Sequence, residues 1–307
     1  MASVVAKGIN EAVQVNIPVL VQLSKHASSL KLGSRQVIAC QSGGYQSPFK
    51  GRGMEFDESR LYNPGDDIRN IDWRVTARMG KAYTKLYHEE RERPVFIWVD
   101  YRKSMFFATR GCFKSVLAAR MASLLAWSAT HYGDRVGGIV FSENAHHELK
   151  PQRGKQGALR LINQLVNHPV WRPNKTNDKD IREGSKLIAR LQRVARPGSL
   201  IFLVSDFRNF DETALSQISR LSRHNEIVMV YMYDQLEKSL PITGRYRVSN
   251  GVDEITIDAY DKVRTEDYRR RFIDRLEQLK QLSRRNRMKL VSCSTQDDPL
   301  TVLQTGL

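Results

Sequence analysis

The chain has 307 residues, of which 41% are hydrophobic and 27% charged. This length allows one large α/β domain with an extension, or two modest domains. The composition excludes an intrinsically disordered chain. No apolar run approaches the roughly 18 residues that a membrane-spanning helix needs, and polar residues interrupt the N-terminal stretch where a signal peptide would have its apolar core. The formal net charge of +16 predicts attraction to an acidic partner, which would be nucleic acid, an anionic membrane surface or an acidic protein.

The first third of the chain carries helix, turn and strand signals in turn. Leucine and alanine recur at helical spacing over Pro18–Leu32, which predicts a short amphipathic helix. A turn is predicted at Asn63-Pro64-Gly65-Asp66, because proline presets the second turn position and glycine accepts the positive φ of the third. Ile71, Trp73 and Val75 then alternate with polar residues, which predicts a half-buried strand.

From Pro94 onward, predicted strands alternate with predicted helices. The run Val95–Val99 is short and continuously apolar, the pattern of a strand covered on both faces. The segment "SLIFLVSDF" is a second such strand and ends in an acid, Asp206. Strands that alternate with helices predict right-handed βαβ units. We therefore expect a doubly wound, mainly parallel Rossmann-like α/β sheet over residues 94–307, with a smaller β-rich extension and a helix over residues 1–93.

Two carboxylates stand at corresponding places in this pattern. Asp100 directly follows the run Val95–Val99, and Asp206 directly follows the second buried strand. The carboxyl ends of strands in an open α/β sheet line its ligand crevice, at the topological switch point. If the two strands are neighbours, both acids share one site, with Ser104 and Ser205 as further oxygens. Such an oxygen-only set suits Mg²⁺ rather than zinc.

The sequence carries no catalytic constellation that we can identify. A phosphate-binding loop is missing, since its nearest approach, Gly154-Lys155-Gln156, lacks both the leading glycine and the hydroxyl. A nucleophile elbow is missing as well. The three cysteines are Cys40, Cys112 and Cys293. They are far apart in the chain and show no zinc-like spacing, so we expect reduced thiols in a cytoplasmic protein. We expect a chain that is not an enzyme and has no cofactor.

A specific resemblance lies between Gly51 and Asp100. The stretch "GRGMEFDESRLYNPGDDIRNIDWRVTARMGKAYTKLYHEERERPVFIWVD", extended by "GDRVGGIVF" further on, resembles the bacterial "domain of unknown function 58" family, whose fold is similar to the von Willebrand factor A domain. The resemblance implies a Rossmann-like sheet with a smaller β-rich N-terminal extension. It also implies a non-enzymatic role beside a MoxR-type AAA+ ATPase, assisting the assembly or maturation of other proteins or complexes.

Domains of the von Willebrand factor A type bind a metal through the motif D-x-S-x-S, a distant threonine and a later aspartate. By this resemblance Asp100 matches the first acid, Ser104 the last serine and Asp206 the later aspartate, but Arg102 replaces the first serine and the threonine has no convincing counterpart. A guanidinium about 4 Å from a dication would repel it by at most about 8 kcal/mol at an effective dielectric near 20. We expect that Arg102 or Lys103 neutralises the two acids and replaces the cation. The alternative is a weakly bound Mg²⁺.

Two interpretations of the family signature stay open at this point. In the first, its apolar members pack as a core strip and its Arg/Asp pairs fix turns, and we favour this for Phe56, Tyr62, Ile68, Ile71 and Trp73. In the second, its charged members form a docking surface beside the sheet edge. The candidate partner surface comprises Arg52, Glu55, Arg60, Asp66, Asp67, Arg69 and Arg102.

Three functions compete on this evidence. The first is an adaptor or co-chaperone that binds an ATPase and client proteins and leaves ATP hydrolysis to the ATPase. The second is nucleic-acid binding, because residues 261–289 carry eleven cations against five anions. Apolar residues at helical spacing in that region favour instead an amphipathic core helix with a solvated basic side. The third, Mg²⁺-dependent ligand binding or hydrolysis at Asp100 and Asp206, lacks a general base and is the least favoured.

Overall fold

The computed structural model describes residues 11–32, 54–89, 93–171, 184–240, 244–249, 254–258 and 260–307. The chain divides into two compact units. The larger unit comprises Met1–Ser34 and Arg93–Leu307, and the smaller unit comprises Arg35–Glu92. Every helix among the described residues is too short or too polar to cross a membrane.

The secondary structure is numbered here in chain order over the described residues. The strands are β1 (Met54–Leu61), β2 (Tyr83–Glu89), β3 (Pro94–Asp100), β4 (Arg135–Phe141), β5 (His146–Arg153), β6 (Leu200–Ser205), β7 (Glu226–Tyr233), β8 (Arg245–Ser249), β9 (Glu254–Asp258) and β10 (Lys289–Ser294). The α-helices are α1 (Ile17–Gln22), α2 (Ser24–Ala27), α3 (Trp73–Met79), α4 (Lys114–His131), α5 (Lys155–Val166), α6 (Gly184–Val194), α7 (Glu212–Ser222), α8 (Gln235–Lys238), α9 (Lys262–Arg285) and α10 (Pro299–Gly306). Short 3₁₀ turns lie at Ile68–Asn70, Lys103–Met105 and Pro169–Trp171.

A six-stranded sheet forms the centre of the larger unit, in the order β10-β7-β6-β3-β4-β5. Every neighbouring pair is parallel except β4 with β5, which is antiparallel. Strand β3 is buried on both faces, because Val95, Ile97 and Val99 face one apolar cluster while Phe96 and Trp98 face the other. The predicted doubly wound, mainly parallel sheet is therefore confirmed, and its order reverses between β3 and β6.

The N-terminal helices α1 and α2 belong to the larger unit and pack against its helix α4. Leu20, Ala27 and Leu30 are buried there, as the helical spacing predicted. From α4, Trp127 Nε1 donates to the carbonyl of Leu20 at 3.1 Å and Ser128 Oγ donates to the carbonyl of Leu30 at 2.7 Å. The predicted extension, residues 1–93, thus comprises one part that packs on the sheet unit and a second part that forms the smaller unit.

The smaller unit is built on an antiparallel pair, β1 with β2, which confirms a β-rich N-terminal extension. The half-buried strand predicted at Ile71–Val75 is wrong, because the chain forms helix α3 there. The Asp72 carboxylate accepts hydrogen bonds from the backbone N–H groups of Arg74 and Val75, and Gly80 adopts a left-handed φ of 68° that ends the helix. An aspartate cap and a terminal glycine outweigh the short alternation of apolar residues.

The predicted core strip of the signature is only partly present. Tyr62 and Ile71 are half-buried, and the side chain of Phe56 lies outside the described residues. Ile68 and Trp73, in contrast, are 65% and 67% exposed. The prediction was wrong for these two. Ile68 lies in the 3₁₀ turn before the helix, and at Trp73 the change from strand to helix removes the alternation on which the prediction rested.

Candidate functional site

Asp100 and Asp206 lie where the strand order of the sheet reverses. Strands β3 and β6 pair in parallel, with Val99 opposite Val204. Asp100 is the last residue of β3, and Asp206 follows the last residue of β6, Ser205. Ser205 Oγ donates to Asp100 Oδ2 at 2.6 Å. The structure thus brings the two predicted acids to adjacent strand ends, with both carboxyl groups fully buried.

Arg102 occupies the oxygens of Asp100. Its Nε lies 3.0 Å from both Oδ1 and Oδ2, its Nη2 donates to Oδ2 at 2.6 Å, and its backbone N–H donates to Oδ1 at 2.9 Å. The guanidinium also lies over the ring of Phe210, 5.4 Å from its centroid. Burial alone would lower the pKa of Arg102, but the carboxylates of Asp100, Asp206 and Glu143 together outweigh burial and raise it. Arg102 therefore remains a cation inside the protein.

Lys114 neutralises Asp206. It is the first residue of α4 and is 0% exposed. Its Nζ donates to Asp206 Oδ2 at 3.0 Å and to Glu237 Oε1 at 2.7 Å. Arg208 completes the arrangement, with Nη2 donating to the same Glu237 oxygen at 2.8 Å and Nε 3.6 Å from Asp206 Oδ2. Burial opposes ionisation of Asp206, yet Lys114, Arg208 and Arg102 together lower its pKa to about 2.

Glu237 is held in place by the capping box of α8. The Asp234 side chain accepts from the backbone N–H of Leu236 at 2.9 Å, while Glu237 Oε2 accepts from the backbone N–H of Asp234 at 3.1 Å. Thr109 and Thr295 donate their hydroxyls to Asp234 at 2.7 and 2.6 Å. Three carboxylates and three cations therefore meet at the switch point, and we call them the buried ion cluster: Asp100, Arg102, Lys114, Asp206, Arg208 and Glu237.

The sequence found only half of this cluster. Lys114, Arg208 and Glu237 were missed, because they come from segments that no local pattern connects to the two aspartates. One signal was available for Lys114, because the helix that it opens carries Arg120 and His131 as its only other basic residues and is buried along nearly its whole length. A buried cation at the start of such a helix requires a carboxylate partner. That reasoning would have led from Lys114 to Asp206.

Lys103 and Ser104 follow Arg102 in the chain. Ser104 lies half-buried in the 3₁₀ turn Lys103–Met105. The backbone N–H of Lys103 donates to Glu143 Oε1 at 2.7 Å, and burial raises the pKa of Glu143. Of the two alternatives for neutralising the acids, Arg102 or Lys103, the structure pairs Arg102 with Asp100, and Lys103 is exposed.

The donor set does not fit a divalent cation as it stands. Both oxygens of Asp100 accept from the Arg102 guanidinium, and Asp206 Oδ2 accepts from Lys114 Nζ. A dication at these oxygens would stand at hydrogen-bond distance from two fixed positive charges. Within the described part of the chain, no group of three or more His, Cys, Asp and Glu side chains is placed to hold a metal ion.

The predicted surface residues of the smaller unit bind to one another or to backbone. Arg60 Nη2 pairs with Asp66 Oδ1 at 2.7 Å, and the backbone N–H of Asn63 donates to Asp66 Oδ2 at 2.9 Å and lowers the Asp66 pKa. Asp67 accepts from the backbone N–H of Arg69 at 3.0 Å. Arg102 belongs to the larger unit and is buried. Arg52 and the side chain of Glu55 lie outside the described residues.

A family model described as "Protein of unknown function DUF58" matches residues 58–281. The chain belongs to this family. The DUF58 chain is 26% identical over 202 residues to uncharacterized proteins of Mycobacterium bovis and of two Mycobacterium tuberculosis strains. Each match covers 66% of the chain and 62% of the relative, so the chain spans less than two thirds of their length.

Two solved structures are similar to the DUF58 chain in fold. One is the conserved hypothetical protein BatB from Bacteroides thetaiotaomicron, with 15% identity and a TM-score of 0.45. The other is an aerotolerance-related membrane protein from Bacteroides fragilis, with 14% identity and a TM-score of 0.46. Each match covers 70% of this chain and 96% of the other.

Proposed function

We propose that this DUF58 chain is a non-enzymatic interaction module, an adaptor or co-chaperone that works with a MoxR-type AAA+ ATPase in the assembly or maturation of protein complexes. The buried ion cluster is the observation that carries the proposal. An open α/β sheet offers its ligand site at the switch point, and here that position is filled by charged side chains that neutralise one another. The functional chemistry then lies on the protein surface.

The same cluster argues against catalysis. A general acid or base must reach the substrate and have a pKa near the working pH. Asp100 and Asp206 are buried behind hydrogen bonds, and an Asp206 pKa of about 2 makes it a poor base at neutral pH. In this proposal Arg102 and Lys114 replace the divalent cation that a von Willebrand factor A-type motif would hold, so the chain needs no cofactor.

The energy for assembly comes from the partner in this proposal, because the sequence carries no phosphate-binding loop. A net charge of +16 favours an acidic partner surface. Cys112 and Cys293 are buried free thiols, a state that suits the reducing cytoplasm, where we place the protein and its ATPase.

A binding experiment with purified components tests the proposal. The full chain is mixed with the MoxR-type ATPase of the same genome, in ATP and in ADP, and complex formation is followed by sedimentation velocity; an unrelated AAA+ ATPase is the control. We expect a complex with a Kd of about 10 μM or tighter in at least one nucleotide state. The absence of a complex in both states, or Mg²⁺-dependent hydrolysis by the chain alone that Asp100→Ala abolishes, would refute it.

Nucleic-acid binding is the second candidate, and the surface of α9 is the observation that favours it. Arg269, Arg270, Arg284 and Arg285 are exposed along this helix. A phosphate-binding stripe would give duplex affinity that falls steeply with salt. A lack of duplex binding by the full chain at low salt, measured by fluorescence anisotropy, would exclude this function.

A further inference from the structure

The smaller unit exposes large apolar side chains close together in the chain. Ile68, Trp73 and Met79 are 65%, 67% and 58% exposed. Single exposed apolar residues are ordinary, but a tryptophan and two aliphatic side chains within twelve residues form a concentration that water disfavours. Such concentrations on soluble proteins commonly mark binding surfaces.

Helix α3 places Trp73 on a continuous exposed face, while Ile68 lies in the preceding 3₁₀ turn and Met79 lies on the other side of the helix. Trp73, Arg74, Ala77 and Arg78 follow the one-four-five spacing of a helix, so they share one side of it, and all four are exposed. The half-buried Val75 and Thr76 lie on the opposite side, where Thr76 Oγ1 accepts from the backbone N–H of Tyr83 at 3.0 Å. The face therefore places Trp73 and Ala77 beside a pair of arginines, Arg74 and Arg78.

The charge on this surface is positive because the three aspartates nearest to it in the chain are engaged internally. Asp66 pairs with Arg60, and Asp67 and Asp72 cap the following turns through backbone N–H groups. The exposed cations have no ion-pair partner among the described residues; they are Arg69, Arg74, Arg78 and Lys81. An exposed tryptophan beside several cations is complementary to apolar side chains set among acids.

We infer that the α3 face, defined as Ile68, Arg69, Trp73, Arg74, Ala77 and Arg78, docks an acidic protein segment that carries apolar side chains. Tryptophan and arginine are the side chains that most often dominate protein interfaces. Nucleic acid fits less well, since the exposed aliphatic side chain of Ile68 neither stacks on bases nor binds phosphate. The inference rests on the proposed function in requiring a protein partner, but not in requiring an ATPase.

A peptide-binding experiment tests the α3 face without the ATPase. The probe is a labelled amphipathic helical peptide with leucine on one face and glutamate elsewhere, and its twin has glutamine for glutamate. Binding to the full chain is measured by anisotropy at low and high salt. Two variants are tested: the single substitution Trp73→Ala, and the double substitution Arg74→Glu with Arg78→Glu. Each has a matched control on α9. Val263→Ala, at a site 73% exposed, matches the first, and Arg270→Glu with Arg271→Glu matches the second.

We expect Trp73→Ala to weaken binding of the acidic peptide about 30-fold and the double arginine reversal about 10-fold. The α9 controls should stay within about twofold of the wild type, and the glutamine twin should bind less tightly. All the substituted side chains are exposed, so the variants should fold normally.

Three results would overturn the inference: no binding of the acidic peptide to the wild type at low salt, equal losses in the α9 controls, or binding of duplex DNA that the arginine reversal abolishes and Trp73→Ala leaves unchanged. Peptide binding at the α3 face without an ATPase complex would refute the proposed function alone. An ATPase complex of the wild type without binding of the acidic peptide would refute the inference alone.

Discussion

Lys114 Nζ contacts two buried carboxylates, Asp206 and Glu237, and has no exposed surface. Burying charges costs several kcal/mol for each ion, and only close pairing with further hydrogen bonds offsets that cost. In the buried ion cluster Asp206 has Lys114 and Arg208, and Asp100 has Arg102 and Ser205. The loss of one member should therefore lower the free energy of unfolding by more than the whole cluster contributes to it.

Lys114→Met tests this reasoning through stability. Its removal leaves Asp206 and Glu237 buried with only the half-exposed Arg208 between them. We expect the free energy of unfolding to fall by about 3–5 kcal/mol, measured by urea denaturation. The double variant Lys114→Met with Asp206→Asn removes one of the stranded charges and should recover part of the loss. A loss below about 1 kcal/mol in the single variant would show that Lys114 does not neutralise the acids.

The Asp206 pKa of about 2 makes a second residue-scale prediction. A carboxyl whose pKa is lower in the folded than in the unfolded chain stabilises the fold above its unfolded value, near 4, and loses that contribution as the pH falls toward 2. Wild type should therefore exceed Asp206→Asn in melting temperature at pH 6, and the difference should shrink between pH about 4 and 2. A constant difference from pH 6 to pH 2 would contradict the lowered pKa.

Sequence reasoning at this scale reached the acids but not most of their partners. Asp100 and Asp206 could be predicted because each directly follows a continuous apolar strand, and Arg102 because it stands two residues away. Lys114 is 92 residues from Asp206 and 123 residues from Glu237 in the chain. Only the sheet order and the packing of α4 bring these groups together. A single sequence, read by itself, does not show which distant residues pair.

At the scale of elements, continuous apolar runs predicted strands more reliably than short alternations of apolar and polar residues did. The strands at Val95–Val99 and Leu200–Ser205 are present where predicted, because burial on both faces demands an uninterrupted apolar sequence. Helix α3 was missed because five residues of alternation say little when Asp72 can cap a helix and Gly80 can end one. Capping signals at both ends should have outweighed the pattern between them.

Helix α9 supports the amphipathic interpretation of the basic C-terminal region. Phe272 and Leu279 are buried, and the Phe272 ring lies 5.5 Å from that of Tyr233. Phe272→Ala should destabilise the protein by about 3 kcal/mol through lost packing. Ile273→Ala, at the adjacent and 48% exposed position, should change stability by less than about 0.5 kcal/mol. Equal effects of the two substitutions in chemical denaturation would show that α9 is not anchored through its apolar stripe.

At the scale of the whole molecule, the chain is basic, yet the carboxylates at its switch point are buried and paired with cations. Other cations are exposed at the surface. The formal net charge is +16, yet the buried ion cluster contains three carboxylates and three cations. The excess positive charge therefore lies outside the crevice, where it can attract acidic partners. This distribution suits the interaction role proposed above.

Calorimetric titration of Mg²⁺ and Mn²⁺ into the 307-residue chain is the measurement that tests this account of the switch point most directly. We expect no saturable heat at micromolar metal concentrations, because Arg102 and Lys114 already neutralise Asp100 and Asp206. Arg102→Ser, which restores the serine of the metal motif, is the matched variant and should gain weak affinity. A micromolar site in the wild type that Asp100→Ala abolishes would contradict the account.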